Sequence, residues 1–291
     1  MPNRSSFLTL LLSLSVWSIP SPASSQALIP YTLQLNPEQL EQTGLGLIEE
    51  AAQLTRFQQY QLALPRAELA TQLAPKSYQT WALLGSLYIQ VDRIDEGVTA
   101  LEQAQKLDPE NAPVRFVLGE AYFRKGQYQQ AIEQIEAGLK VRSDVPGALF
   151  DLGNAYYMLG KYDRAIAEYE KAFAQEKNLW PAVNNIGLVR YEMGDVKGAM
   201  EKWQEAIAID EKAAEPILAM AVALYAQGQR REALAMGETA LELDARYAEI
   251  EFLRENLWGD RLINDTQKFL STQEMQETIA QLENSPASVS P

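Results

Sequence analysis

The side chains that carry most enzyme chemistry are absent from this sequence. Its 291 residues hold no Cys and no His. That removes thiol nucleophiles, imidazole bases, disulfides and the common zinc sites together. A catalytic site would have to be built from carboxylates, Lys, Ser or Tyr. Carboxylate pairs do occur, at Glu49–Glu50 and at Glu168/Glu170, and two facing carboxyls are the minimum for acid–base work without imidazole. Both pairs fall on stretches of helical period, where they read as solvated faces with partners one turn away. Gly44-Leu45-Gly46 lacks the Lys-Ser/Thr that a phosphate loop needs. Asp108-Pro109-Glu110-Asn111 reads as a turn between helices, not a calcium loop. The residues therefore predict no catalytic group, no cofactor and no dedicated metal ligand, and the chain reads as a non-enzyme.

The net charge is −14. Nucleic-acid binding needs clustered Lys and Arg to neutralise phosphates, and an anionic membrane surface repels the same balance. A basic protein partner suits it. A second reading of the acidic balance is a metal-carrying accessory factor that holds Mn²⁺ or Ca²⁺ through carboxylates.

What the chain does possess is a spacing. Gly153 and Gly160 recur 34 residues earlier as Gly119 and Gly126, and 34 later as Gly187 and Gly194. One further step each way gives Ala221 with Gly228, and Gly85 with Asp92. Such a register marks an array of one small unit. With the first glycine at position eight, the frames are 78–111, 112–145, 146–179, 180–213 and 214–247, with a degenerate frame at 44–77. Each carries two amphipathic stretches of helical period. Position eight is small so that a second helix can approach; the second glycine closes a helix with φ > 0. Large residues fill position 11 (Tyr88, Tyr122, Tyr156) and position 24 (Tyr169, Trp203), and Gly237 is the exception at position 24.

This pattern resembles the tetratricopeptide repeat (TPR) family over about 44–247, with Leu152-Gly153, Tyr156, Ala165, Tyr169 and Ala172 at the family's slots. The resemblance implies an all-α superhelical solenoid of antiparallel helix pairs, with first helices lining a concave groove. In the family, positions 2, 5, 9, 12 and 13 of each first helix face the groove, and position 2 is left out here. Carried over, the partner-binding residues are Phe116, Glu120, Phe123, Arg124, Phe150, Asn154, Tyr157, Asn184, Leu188, Tyr191 and Tyr225. Tyr joins a large contact area to a hydrogen-bonding tip. The Asn154, Asn184 and Asn185 amides offer donor and acceptor to a peptide backbone. The Lys and Asn pattern that clamps a chaperone's terminal carboxylate is missing.

The ends read differently. Residues 1–27 have the layout of a secretory signal, with an apolar run from Phe7 to Ile19 too short for the ~20 residues of a bilayer span. No integral membrane span is expected in the mature chain. Residues 28–43 form a lead-in segment, with Asn36-Pro37 starting a short helix. Residues 248–284 form a helical cap: Tyr247 to Leu257 continues as one more first helix, and Ser271-Thr272-Gln273-Glu274 reads as a capping box. Residues 285–291 read as a disordered tail. The cap exceeds what solubility requires, so residues 258–284 offer apolar surface for packing back, for a partner or for self-association. A tail of this kind after TPRs resembles exported cyanobacterial and plastid-lumen proteins, which implies the periplasm or thylakoid lumen. The expected function is an exported scaffold that binds a protein or peptide segment in its groove and assists assembly of an envelope or photosynthetic complex. A structural homo-oligomer joined through the cap is the other alternative.

Overall fold

The computed structural model describes residues 36–284; the predicted signal, most of the lead-in segment and the tail from 285 lie outside the described residues. Twelve helices alternate as first and second members of pairs: α1 (Pro37–Arg56), α2 (Tyr60–Leu73), α3 (Tyr78–Gln90), α4 (Ile94–Leu107), α5 (Ala112–Arg124), α6 (Tyr128–Val141), α7 (Pro146–Met158), α8 (Tyr162–Gln175), α9 (Trp180–Glu192), α10 (Val196–Ile209), α11 (Ala214–Ala226) and α12 (Arg230–Leu243). Each first helix packs on its own second helix, and each second helix on the next first helix. The result is an all-α solenoid.

The register is set by backbone geometry. Residues 58, 92, 126, 160, 194 and 228 lie 34 apart, and all have positive φ, from +57° at Gln58 to +87° at Gly194. At each, two backbone bonds close a Schellman cap; in α5 Gly126 N–H donates to Phe123 O at 2.8 Å and Gln127 N–H to Tyr122 O at 2.9 Å. Four of the six slots hold glycine, which enters this region without a Cβ penalty. Asp92 and Gln58 adopt it at a cost.

Within a pair, position eight meets position 24. A Cβ on Gly153 would lie 2.6 Å from the Tyr169 ring, and one on Gly187 would lie 2.4 Å from Trp203. The bulky residue thus occupies the space its small neighbour leaves, close to interior density. Between pairs, Tyr88, Tyr122 and Tyr156 reach back and donate hydroxyl hydrogen bonds to Glu68, Glu102 and Glu136, one per junction. This ladder stops at α9, where Arg190 replaces the tyrosine and pairs with Asp195 instead.

Three expectations about the ends are corrected. The helix at Asn36-Pro37 is not a short lead-in; it runs unbroken for 20 residues and is itself the first helix of the first pair. Residues 247–257 do not form one more first helix. They split into a 3₁₀ turn (Ala245–Ala248) and a six-residue helix, α13 (Ile250–Glu255), which ends with Leu257 at φ +64°. Leu257 is partly buried against the cluster around α7 and α9, and that packing holds it in the left-handed region. The capping box is not formed either. Thr272 precedes α15 (Gln273–Glu283) but its hydroxyl donates back to Phe269 O at 2.8 Å, and Glu274 pairs with Arg230 on α12.

The decisive feature is α14 (Asp260–Leu270). It turns back and lies against α9 and α11, the first helices of the last two pairs, while α15 packs on α12. Its apolar stripe of Leu262, Ile263, Phe269 and Leu270 is buried with Leu188, Leu218 and Val222 in one cluster. The apolar positions within 258–284 are therefore used inside the chain.

Candidate functional site

The face built from first helices has two halves. Over α9 and α11 it is filled by α14. Tyr191 donates its hydroxyl to Asp265 on α14 at 2.8 Å, and the Arg261 guanidinium lies 5.5 Å from the Tyr191 ring centre. Glu192 receives the backbone N–H groups of Arg261 and Leu262 at 3.2 and 3.0 Å, supplying the carboxylate that a helix N-terminus favours. Trp258 donates its indole N–H to Glu215 at 2.9 Å. Phe269 projects to Gly237, where a Cβ would meet its ring at 2.5 Å, and stacks on Tyr225 at 5.3 Å. Phe269 thus takes the place that Tyr169 and Trp203 fill in earlier pairs.

This corrects part of the expected binding set. Asn184, Leu188 and Tyr191 are 0–1% exposed, and Tyr225 is half-buried under Phe269. As the chain stands, Leu188, Tyr191 and Tyr225 serve the intramolecular contact with α14, Asn184 is buried beside Asn185, and the four present little to a partner. The physical reason is the return of α14, which brings Asp265 onto Tyr191 across 74 positions of chain.

Over α5 and α7 the face is open. Phe116, Phe123 and Phe150 are half-buried: Phe116 packs over Gly138, Phe123 stacks on Tyr128 at 5.3 Å, and Phe150 stacks on Tyr169 at 5.6 Å. Each ring is thus anchored in the stack and remains partly exposed. Glu120 is exposed. Arg124 is exposed but engaged, donating to Ile89 O and to Asp92 at 2.8 Å each. Tyr157 is buried, contrary to an exposed groove residue, and its hydroxyl has no hydrogen-bond partner.

The asparagines also differ from expectation. Asn154 Oδ1 accepts from the Tyr169 hydroxyl at 2.7 Å and from Asn185 Nδ2 at 3.1 Å, and Asn184 Nδ2 donates to Asn185 Oδ1 at 3.2 Å. They form a buried polar chain from α7 to α9. Asn154 Nδ2, at the half-exposed end, and the buried Asn184 Oδ1 make no hydrogen bond among the described residues.

Two carboxyls flank this chain, and sequence reading missed both. Burial, followed by the charge of Glu120, pushes Asp151 up to about 7. Burial pushes Glu215 up to about 7 as well, opposed by its bonds with Trp258 and Asn184. Asp151 falls at position six, outside the positions read as groove, and Glu215 at position two, the groove position from which no residue was taken. A second hollow, of about 380 Å³, lies over α3 and α5 and is lined by Tyr78, Ala82, Leu83, Ser86, Pro113 and Val117. Among the described residues, no group of three or more Asp or Glu is placed to hold a metal ion, and no helix is long and apolar enough to cross a membrane.

A family model for tetratricopeptide repeats matches residues 82–139 and again 116–178, and a second TPR model matches 187–228. The matched residues are tetratricopeptide repeats. A model described as ChAPs (Chs5p-Arf1p-binding proteins) matches 31–107, over the N-terminal pairs of this TPR array. No curated protein matches. Among solved structures, MamA is 25% identical, with a TM-score of 0.51 over 57% of this chain and 97% of its own. PilF of Pseudomonas aeruginosa is 14% identical, with a TM-score of 0.60 over 84% of this chain and 99% of its own. YrrB, described as a TPR protein with an unusual peptide-binding site, is 17% identical, with a TM-score of 0.51 over 69% of this chain and 97% of its own. The two lower identities speak for the TPR fold alone.

Proposed function

We propose that this chain is a non-catalytic scaffold that holds a segment of another protein on the open half of its groove, over α5 and α7. The observation that carries this reading is the contrast between the halves. Over α9 and α11 the groove is covered by the chain's own α14. Over α5 and α7, beyond the seat of α14, three phenylalanines are half-buried and the buried Tyr157 hydroxyl has no partner. Contiguous aromatic surface on an otherwise acidic chain is the composition of an interaction patch. The peptide-binding site ascribed to YrrB supports the same use of this fold. The apolar segment at 7–19 supports export of the scaffold, to the periplasm or thylakoid lumen, in the service of assembling an envelope or photosynthetic complex.

The test is capture of interacting protein from the native compartment by immobilised full-length chain, with Glu120→Lys/Phe150→Ala as comparison. Glu120 is exposed and Phe150 half-buried, so helicity and melting report whether the variant stays folded. Loss of the captured protein by a folded variant is the expected outcome. Undiminished capture overturns the groove reading.

A further inference from the structure

Tyr157 and Tyr191 hold the same slot in successive repeats, 34 residues apart. Tyr191 meets a docked helix and donates its hydroxyl to Asp265 of α14. Tyr157 is 8% exposed, and its hydroxyl has no partner. An unpaired buried hydroxyl is unfavourable, so it calls for an explanation. It sits in the wall of a cavity of about 380 Å³ that opens in front of the α14 N-terminus, lined also by Met158, Tyr162, Trp258, the Glu192 carboxylate, and Arg254, whose charge is paired with Asp260 at 3.2 Å. One repeat along, the equivalent place is occupied.

The occupant there is a helix. α14 buries Leu262, Ile263, Phe269 and Leu270, the spacing of an amphipathic stripe, together with Thr266, and offers one polar acceptor to the tyrosine. We propose that the open half of the groove receives an amphipathic helix of a partner protein in the manner of α14. An uncharged acceptor of that helix meets the Tyr157 hydroxyl, and a lysine or arginine meets Asp151 and Glu120. This mode presupposes the groove reading above and adds the conformation and charge of the bound segment.

The acceptor is uncharged because the site already carries acid. Burial, then Glu192, holds the Tyr157 hydroxyl far above the usual tyrosine range, with a smaller contribution from Asp260. The hydroxyl is therefore a fixed donor, and another carboxylate beside it would be repelled. The basic residue follows from the other end. Asp151 is half-buried, makes no hydrogen bond among the described residues, and feels Glu120 as its charged neighbour. Two like charges there are unfavourable until a cation joins them. The net charge of −14 favours approach of a basic segment.

A display library of random peptides, each a few residues longer than α14, tests this by selection against the full chain. The enriched peptides are then titrated against wild type, Tyr157→Phe and Asp151→Asn. Both substitutions keep side-chain size, and thermal melts check that they stay folded. The expected winners carry apolar residues at i, i+3 and i+4 with a Lys or Arg, gain helicity on binding, and lose about tenfold in affinity, roughly 1.4 kcal/mol, in each variant. Winners that bind extended yet are weakened by Asp151→Asn overturn the helical mode and leave the groove reading standing. Winners indifferent to both variants, or no enrichment, overturn the proposal. A concentration-dependent dimer that dissociates in Tyr157→Phe assigns the face to a second copy and overturns it also.

Discussion

Phe269 of α14 stands where the side chain of residue 237 would be. A Cβ on Gly237 would lie 2.5 Å from the Phe269 ring. The ring is fully buried and closes the last pair as Trp203 closes the one before it. Replacing Gly237 with Leu sets two groups in competition for one space. Overpacking typically costs about 1–3 kcal/mol, and here it is expected to displace α14. Phe269→Ala leaves a void and is expected to cost about 3–5 kcal/mol. Urea unfolding monitored by far-UV dichroism measures both. If Gly237→Leu is as stable as wild type, α14 does not hold the assigned place.

Glu215 gives a pH dependence of definite sign. Its carboxyl is buried and pushed up to about 7 from an ordinary value near 4.5. Between these values the native state binds more protons than the unfolded chain, so stability falls as pH rises, and the loss is complete above about 7. Asp151 slopes the same way, so the contribution is isolated by difference. Subtracting the urea-unfolding profile of Glu215→Gln from that of wild type is expected to leave a decline between pH 4.5 and 7. Trp258 fluorescence reports the same step locally. A flat difference profile contradicts the assignment.

The positive-φ series predicts opposite responses at equivalent positions. Gly160 has φ +67°, and Gly160→Ala is expected to destabilise by about 1–2 kcal/mol. Asp92 already occupies this conformation at φ +62°. Asp92→Gly removes that strain but raises the entropy of the unfolded chain by ~0.5–1 kcal/mol and loses the ion pair with Arg124. The two changes are expected nearly to cancel. Equal destabilisation by both substitutions refutes the cap assignment; the measurement is the denaturation midpoint at constant slope.

Tyr191→Phe removes one hydroxyl from a bond that ties α14 to α9. Asp265 keeps its contact with Lys268 at 2.7 Å, so the expected loss is that of a single hydrogen bond, about 0.5–1.5 kcal/mol. Amide hydrogen exchange is expected to quicken in α14 more than in α5. Uniform quickening throughout the array would mean that the bond does not act locally.

The repeat register was legible because a 34-residue period states itself in small and large residues. The helix starts at 78, 112, 146, 180 and 214 coincide with the frames read from glycines. What the period does not reveal is which part of the repeated face stays open. Position nine is Asn154 in one unit and Leu188 in the next, yet their exposure differs chiefly because α14 lands on the second. That landing is a long-range event, and only one residue announced it. Gly237, small where its equivalents are large, left a vacancy that another element had to fill. The capping box failed because the helix starts one residue later than the box requires, with Thr272 as N-cap, and Glu274 pairs with Arg230 on α12.

The two halves of the groove are compared most directly by photo-crosslinking from two positions of the full chain in its native cell. A benzophenone amino acid at 150 stands in the open half, and one at 225 stands under Phe269. The predicted result is a crosslink to a second protein from position 150 and a crosslink only within the chain, to α14, from position 225. Capture of a second protein from 225, with none from 150, would contradict the account.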